Sequence, residues 1–485
     1  IPIDVGRQLF VDDFLIESTN LDRLFHQAEK FAGNPVFQAE TKTEKNRNKV
    51  VYLGQGGVFF DPSEKLFKMF YTAGWRGPLA LATSPDLKVW TRPKINPHGG
   101  NILLPAGTAW GSGSGGTAGS DNAVWYDVTA TDPRKRIKYL TCWMHAPQGQ
   151  RVSGLTHSLQ VSNGATWSEP VACTRPAGDY SSMFYNPFRN KWVQSIKRDG
   201  PRGRCRYYVE TDRFLDGADW SKAVYWTNAD RLDRPEPAGD YPGCGAAGDP
   251  PQLYNLAAVA YESLMVGMHQ IHRGPKNEIC QVGKFPKLTD LELGFSRDGF
   301  HWDRPDRRGF IRGERRANAW DRAYLHTTTG LFVVLDDQLI FPYCGFSGDA
   351  GEGRSDMYGG AAIGLATLRR DGFASMQGPG TLMTRPVVFS GSYLFVNLTG
   401  EIRVELLDAA GKLIAASQTV SGDSTRQRIE LPGLAAHAGQ PVRFRFQLSR
   451  GSLYAFWVTP DAGGASNGYV AAGGPAFAGT CDRVP

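Results

Sequence analysis

Three aspartates stand in matching places along this 485-residue chain, each just ahead of an apolar stretch. Asp121 lies in Gly119-Ser-Asp-Asn-Ala-Val-Trp, Asp179 in Gly178-Asp-Tyr-Ser-Ser-Met-Phe, and Asp321 in Trp320-Asp-Arg-Ala-Tyr-Leu-His326. Carboxyl groups brought to one place can divide the work of acid–base chemistry. One is held protonated as the acid, and another stays ionised as base, nucleophile or charge-tuning group. Taken singly, each of the three reads equally well as a turn or strand cap; it is the repetition that makes them candidates. Two further carboxylates join them. Asp13, on an N-terminal strand, would point inward if that strand closed the structure, and Glu262 stands in Ala260-Tyr-Glu-Ser-Leu. Glu262 falls at a turn that should lie on the opposite face, so it is held in reserve. For binding, Trp75, His98, Trp110, Tyr180, Tyr254, Asn255, Arg322 and His326 sit in loops or strand starts near the aspartates. They would offer ring faces for stacking and polar forks for hydroxyls.

Other chemistries find no motif. Seven cysteines form no CxxC pair and nine histidines form no HExxH, so neither a zinc site nor a redox pair is expected. The run Trp110-Gly-Ser-Gly-Ser-Gly-Gly116 has no following Lys and is no phosphate loop. No cofactor is required by these residues, although oxygen ligands are plentiful enough for a structural Ca²⁺ or Na⁺.

The elements that must position the candidates are short strands, because 57 glycines and 30 prolines interrupt the chain and sustained helical periodicity is absent. A repeat runs through them. Its first half is a strand, a turn and a second strand, as in Gly57-Val-Phe-Phe-Asp61 followed by Leu66-Phe-Lys-Met-Phe-Tyr71. Its second half ends in Ser, Asp or Asn, and then Trp, as around Ser84 and Trp90, Ser162 and Trp167, and Ser296 and Trp302. First halves recur near Ala123, Ser182, Ala257 and Leu331, which makes five units of about 50 to 80 residues. The fold class expected is all-β: a five-bladed β-propeller over residues 1–380, followed by a C-terminal antiparallel β-sandwich over residues 381–485. Within the second part, Val442-Arg-Phe-Arg-Phe alternates apolar and charged residues, as a strand with one buried face does. The Gly/Ala-rich tail from Asp461 has no periodicity and is expected along the surface.

The net charge of +6 is spread thinly, without the Lys/Arg cluster that a nucleic-acid binder needs. No apolar run reaches the length of a membrane helix. The chain begins at Ile1, as it would after removal of a signal peptide or trimming.

Several strings carry a resemblance. Leu9-Phe-Val-Asp12-Asp13-Phe-Leu-Ile16-Glu17, Gly56-Gly-Val-Phe-Phe-Asp-Pro, Pro251-Gln-Leu-Tyr-Asn255, Gly451-Ser-Leu-Tyr-Ala-Phe-Trp and Gly468-Tyr-Val-Ala-Ala-Gly-Gly474 resemble bacterial fructosidase-like hydrolases. These are invertase- and levanase-like five-bladed propeller glycoside hydrolases, related to the arabinofuranosidases. The likeness runs nearly end to end. It implies an exo-acting glycosidase with a carbohydrate substrate, secreted or periplasmic, using carboxylates at the propeller mouth. The fructosidases' Trp-Met-Asn-Asp-Pro, Arg-Asp-Pro and Glu-Cys strings are absent, so their catalytic roles do not carry over, and which aspartate plays which part stays open. Two alternatives remain: a non-catalytic carbohydrate-binding propeller, and a sialidase-like hydrolase, whose Asp-box the Ser162-Asn-Gly-Ala-Thr-Trp167 turn resembles.

Overall fold

A computed structural model describes residues 1–54, 56–95, 100–105, 122–143, 156–244 and 250–484. Each expected repeat is an antiparallel sheet. Blade I runs outward from Val51–Tyr52 and Val58–Asp61 through Leu66–Ala73 and Leu79–Ser84 to Ile102–Leu104. Blade II runs from Ala123–Tyr126 to Val171–Ala172, and blade III from Ser182–Asn186 to Val224–Asn228. Blade IV is built on Gln252–Glu262, Leu264–Gly274 and Leu288–Ser296. Blade V starts at Ala323–His326 and passes through Gln338–Phe346 to Ala361–Arg369.

The turns show why the repeat folds as it does. Asp86, Asn163 and Asp298 each accept the backbone N–H groups two and three residues ahead, which closes the same tight turn in three blades. The tryptophan that follows then lies across a blade. Trp302 covers Gly267, where any side chain would collide with its ring, and meets Trp226 of blade III edge-on.

The ring closes through contacts between neighbours. The Tyr126 hydroxyl donates to Asp61 across blades I and II (2.6 Å), and Ser182 donates to the Leu256 carbonyl across III and IV (2.8 Å). Blades II and III share the core of Ala123, Leu140, Met183 and Ile196. Gln270 reaches the Leu325 carbonyl across IV and V (2.7 Å), and Thr329 bridges to Gly57 from V to I. The seam is sealed by the N-terminal pair Glu29–Lys30, which forms the outermost strand of blade V against Ala366 and Thr367.

Sheet pairing does not follow the expected division at residue 380. Gln8–Leu9, Ile16–Thr19 and Asp22–Phe25 pair into the C-terminal sheet, against Val442–Thr459, Gly380–Thr384 and Ala374–Gln377 respectively. That sheet has nine strands, organised on the long partners Tyr393–Asp408 and Val442–Thr459. Val442, Phe444, Phe446 and Leu448 face its core while the intervening residues do not, as the alternation predicts. Nor does the tail lie along the surface. It crosses the end of the channel: Phe60 donates to the Ala472 carbonyl (2.9 Å), Ala471 to that of Ala260 (3.1 Å) and Val334 to that of Gly473 (2.9 Å). Backbone bonds thus tie the tail to the inner strands of blades I, IV and V. The seven cysteines are free thiols, and six are buried. No helix among the described residues is long and apolar enough to cross a membrane.

Candidate functional site

At the end of the channel where the inner strands begin, a cavity of about 100 Å³ is lined by Trp75, Arg76, Asp179, Lys197, Arg204, Tyr254, Asn277, Lys287, Tyr324 and Tyr358. Asp179 precedes the inner strand of blade III, and Tyr324 lies in that of blade V. Tyr180 (φ +55°) and Tyr324 (φ +52°) both hold left-handed backbone conformations that bulky residues rarely adopt. Strain of this kind persists only where the surroundings over-determine it. Here Arg206 does so in part. Fully buried, it donates to the carbonyls of Tyr180 (2.8 Å) and Tyr254, pinning the inner strands of blades III and IV side by side. Burial pulls its pKa down to about 9.

The floor is aromatic. The Tyr180 hydroxyl donates to the Gly54 carbonyl (2.7 Å), so its 2.6 Å contact with His326 Nδ1 must be a bond donated by the ring. Nε2 is then the lone-pair nitrogen, buried and without a hydrogen-bond partner among the described residues. Desolvation, with Lys287 adding to it, pushes the His326 pKa well down and keeps the ring neutral. One wall is the stacked pair Trp75 and Tyr358, with centroids 4.2 Å apart and planes at 13°. On the other side the Tyr254 and Tyr324 hydroxyls touch at 2.9 Å.

Charge enters through five groups, of which Arg76 is exposed to solvent. Asp179 is ion-paired with Lys197. Desolvation alone would raise its pKa. The attraction and hydrogen bond of Lys197, helped by Lys287 and Arg204, overcome that and hold it at about 2. Lys287 is 2% exposed. Its ammonium group reaches the Tyr254 hydroxyl (3.3 Å) and lies 4.7 Å from the Tyr324 ring centre and 5.0 Å from that of Tyr254. Desolvation first, then Arg204, lower its pKa to about 7. Arg204 donates to the Gln252 side-chain oxygen (2.8 Å).

Of the residues singled out from the sequence, the cavity takes Asp179, Trp75 and Tyr254, with Tyr180 and His326 in its floor. Asp121, His98 and Trp110 lie outside the described residues. Five candidates stand away from the cavity, Glu262 among them in the turn of the opposite face to which the sequence assigned it. Asp321 is fully buried in blade V, where it accepts from Lys30 (2.7 Å) and Tyr343 (2.9 Å), and it does not line the mouth. Asp13 belongs to the N-terminal segment paired with the C-terminal sheet; its side chain is 77% exposed and paired with Arg23, because Glu29–Lys30 and not this strand closes the ring. Glu262 sits at the opposite end of the channel in a left-handed turn (φ +50°), accepting from the Arg7 N–H (3.0 Å) and the Ser466 hydroxyl (2.6 Å). Arg322 lies over the Tyr241 and Phe285 rings and lines a separate cavity of about 370 Å³ with Trp320, Lys49 and Asp349. Asn255 is buried, accepting from Ser182 (3.2 Å), and is no part of the cavity lining.

Lys197, Arg204, Lys287, Tyr324 and Tyr358 were missed, because a search for paired carboxylates passes over cations. A signal did exist: Arg204 and Arg206 alternate along the strand Gly203–Thr211, and Lys197 lies opposite Arg206 in register. Among the described residues, no group of three or more His, Cys, Asp or Glu side chains gathers to hold a metal. A larger cavity of about 210 Å³ opens at the far end of the channel, between Trp125, Tyr126, Tyr185, Trp192 and the tail. Most of its walls are apolar, and the carboxylates at its rim, Asp127 and Asp212, are paired with Lys138 and Lys191.

No protein-family model matches the chain, and no curated protein sequence matches it. Among solved structures, it is similar to a thermostable family-43 glycoside hydrolase (10% identity, TM-score 0.44, covering 68% of this chain and 94% of that one). It is also similar to an α-L-arabinofuranosidase of Podospora anserina in complex with cellotriose (11% identity, TM-score 0.41, 71% and 98% covered). A third is an exo-β-1,3-galactanase of Phanerochaete chrysosporium (10% identity, TM-score 0.37, 90% and 99% covered). At such identities and scores none of the three assigns a reaction to this chain.

Proposed function

We propose that this chain is an exo-acting glycoside hydrolase working at the propeller mouth. The observation that carries the reading is Asp179, a carboxylate kept ionised at the start of an inner strand, in a cavity walled by Trp75, Tyr254, Tyr324 and Tyr358. Hydrolysis of a glycosidic bond uses two carboxyl groups on either side of it. With a pKa near 2, Asp179 suits the base, nucleophile or charge-tuning part and not that of the acid. The acid falls to Asp121, by its equivalent place ahead of the inner strand of blade II. The aromatic walls suit the apolar faces of a sugar ring, and the resemblance of the strings around Asp12, Pro251 and Gly468 points to the same chemistry. The reading makes the chain a bacterial secreted or periplasmic protein, where oligosaccharides are met. Four cations beside one carboxylate disfavour a bound Ca²⁺ or Na⁺ at the described part of the mouth.

Purified protein screened against furanosides, fructans and plant or algal oligosaccharides, with released sugar read by chromatography, should yield a single monosaccharide. Asp179→Asn and Asp121→Asn should each then lower turnover by about a hundredfold or more while the fold persists. Full activity in both variants would refute the assignment. One observation favours a second reading, a carbohydrate-binding propeller without catalysis: Asp179 is the one carboxylate among the described residues of the cavity. Sugar binding without release from any substrate, unaltered in both variants, would decide for it.

A further inference from the structure

We propose that the mouth takes a sugar bearing an oxyanion, a uronate carboxylate or a sulfate ester, held by Lys287 and Arg204. This rests on the reading of the mouth as a sugar site and adds the class of sugar.

The charges in the cavity do not cancel. Asp179 and Lys197 form a pair. The exposed Arg76, the half-buried Arg204 and the buried Lys287 remain. Neither Lys287 nor Arg204 has a carboxylate partner among the described residues; their bonds go to a tyrosine hydroxyl and a neutral amide. Apart from Arg206, which is held by backbone carbonyls, buried cations elsewhere are matched by carboxylates, as three pairs show. Lys68 meets Asp61 at 2.7 Å, Arg273 meets Asp290 at 2.8 Å, and Arg304 meets Asp233 at 2.5 Å. A buried charge without a counter-ion is costly, and folded proteins avoid it unless something else compensates. An anion arriving with the ligand would supply that compensation. The surroundings suit an oxyanion on a sugar. Arg204 offers a planar fork for a carboxylate or sulfate, and Lys287 a point charge. The Trp75 and Tyr358 stack supplies a flat apolar wall beside them, and Asn277 has a side-chain oxygen without a partner to accept from a hydroxyl. A cavity of about 100 Å³ has room for an anionic head group and not for a chain of sugars, which places the charge on the terminal residue.

The test is calorimetric titration of the intact protein with three probes of equal length: an oligogalacturonate, a sulfated galactan oligosaccharide and a neutral galactose oligomer. Wild type should bind at least one anionic probe tenfold or more tightly than the neutral one, and which of the two it prefers distinguishes carboxylate from sulfate. Lys287→Met and Arg204→Gln should each abolish that preference, whereas Lys287→Arg should keep much of it. Thermal melts establish that each variant is folded. Equal affinity for charged and neutral probes, binding of none of the three, or a preference that survives both variants would overturn the inference. Anion-selective binding without hydrolysis would leave it standing and refute the glycosidase reading. Hydrolysis of a neutral glycoside with no anion preference would do the reverse.

Discussion

The two ends of the propeller channel bury charge in opposite ways. At the far end, Arg7 meets Asp371 at 2.8 Å and Glu262 at 3.5 Å, and Arg370 meets Glu262 at 3.3 Å and Asp482 at 3.1 Å. Tyr261 and Asn397 donate to Asp371 as well, and the tail closes over the network through Ser466. Cations and carboxylates alternate there, with most of their hydrogen-bonding capacity used. At the mouth, Lys287 is as deeply buried and has a phenol hydroxyl and three ring faces but no carboxylate among the described residues. A satisfied network holds parts together. An unsatisfied one, exposed to a cavity, is organised for something that arrives.

If that contrast is right, variants at the two ends should separate stability from function. The largest effect is expected for Arg7→Met, which strands Asp371 and weakens Glu262; a loss of about 3–5 kcal/mol should appear in urea unfolding. Glu262→Gln should cost about 1.5–3 kcal/mol through its charge-assisted bonds, yet leave turnover by the folded protein unchanged. A large fall in turnover there would return Glu262 to the active site and break the comparison. Lys287→Met should raise stability by about 1 kcal/mol or more, since an uncompensated buried charge is removed. The sign depends on pH. A lysine whose folded pKa is lowered to about 7 carries its full penalty below that pH. The penalty fades as pH rises toward the unfolded value near 10.4. The gain from Lys287→Met should therefore be greatest at pH 6 and shrink by pH 10, which denaturation at the two pH values would read. Smallest is Asp179→Asn. Its carboxylate is 42% exposed, and a partly solvated pair is worth about 0–1 kcal/mol, so its melting temperature should hardly move whatever happens to activity.

What the sequence disclosed depended on the range over which each signal acts. The blades were legible because strand, turn and Trp lie within a few dozen residues, and the Asp86, Asn163 and Asp298 turns are local hydrogen-bonded units. The seam was not, since Glu29–Lys30 is two residues with no pattern, paired with a strand far along the chain. The tail was misread for a related reason: its contacts are backbone bonds from Val470, Ala471, Ala472 and Gly473, and these residue types reveal nothing of their partners. At the mouth, Asp179 was found because strand starts can be counted. Asp321 occupies an equivalent place in the sequence, but Lys30 and Tyr343 hold its carboxyl within the blade. Lys287 was invisible because a lone lysine ahead of a strand usually stays in water.

Closure of the ring at both chain ends has a bearing on how the protein is made. The outermost strand of blade V is translated ahead of blades I to IV, and its partner Ala361–Arg369 emerges only after them. The segment that crosses the far end of the channel, through Ala472, follows all five blades in the chain. Non-local pairings of this sort are slow to form. Ring closure therefore waits for the last blade, and until then the blades form an open arc.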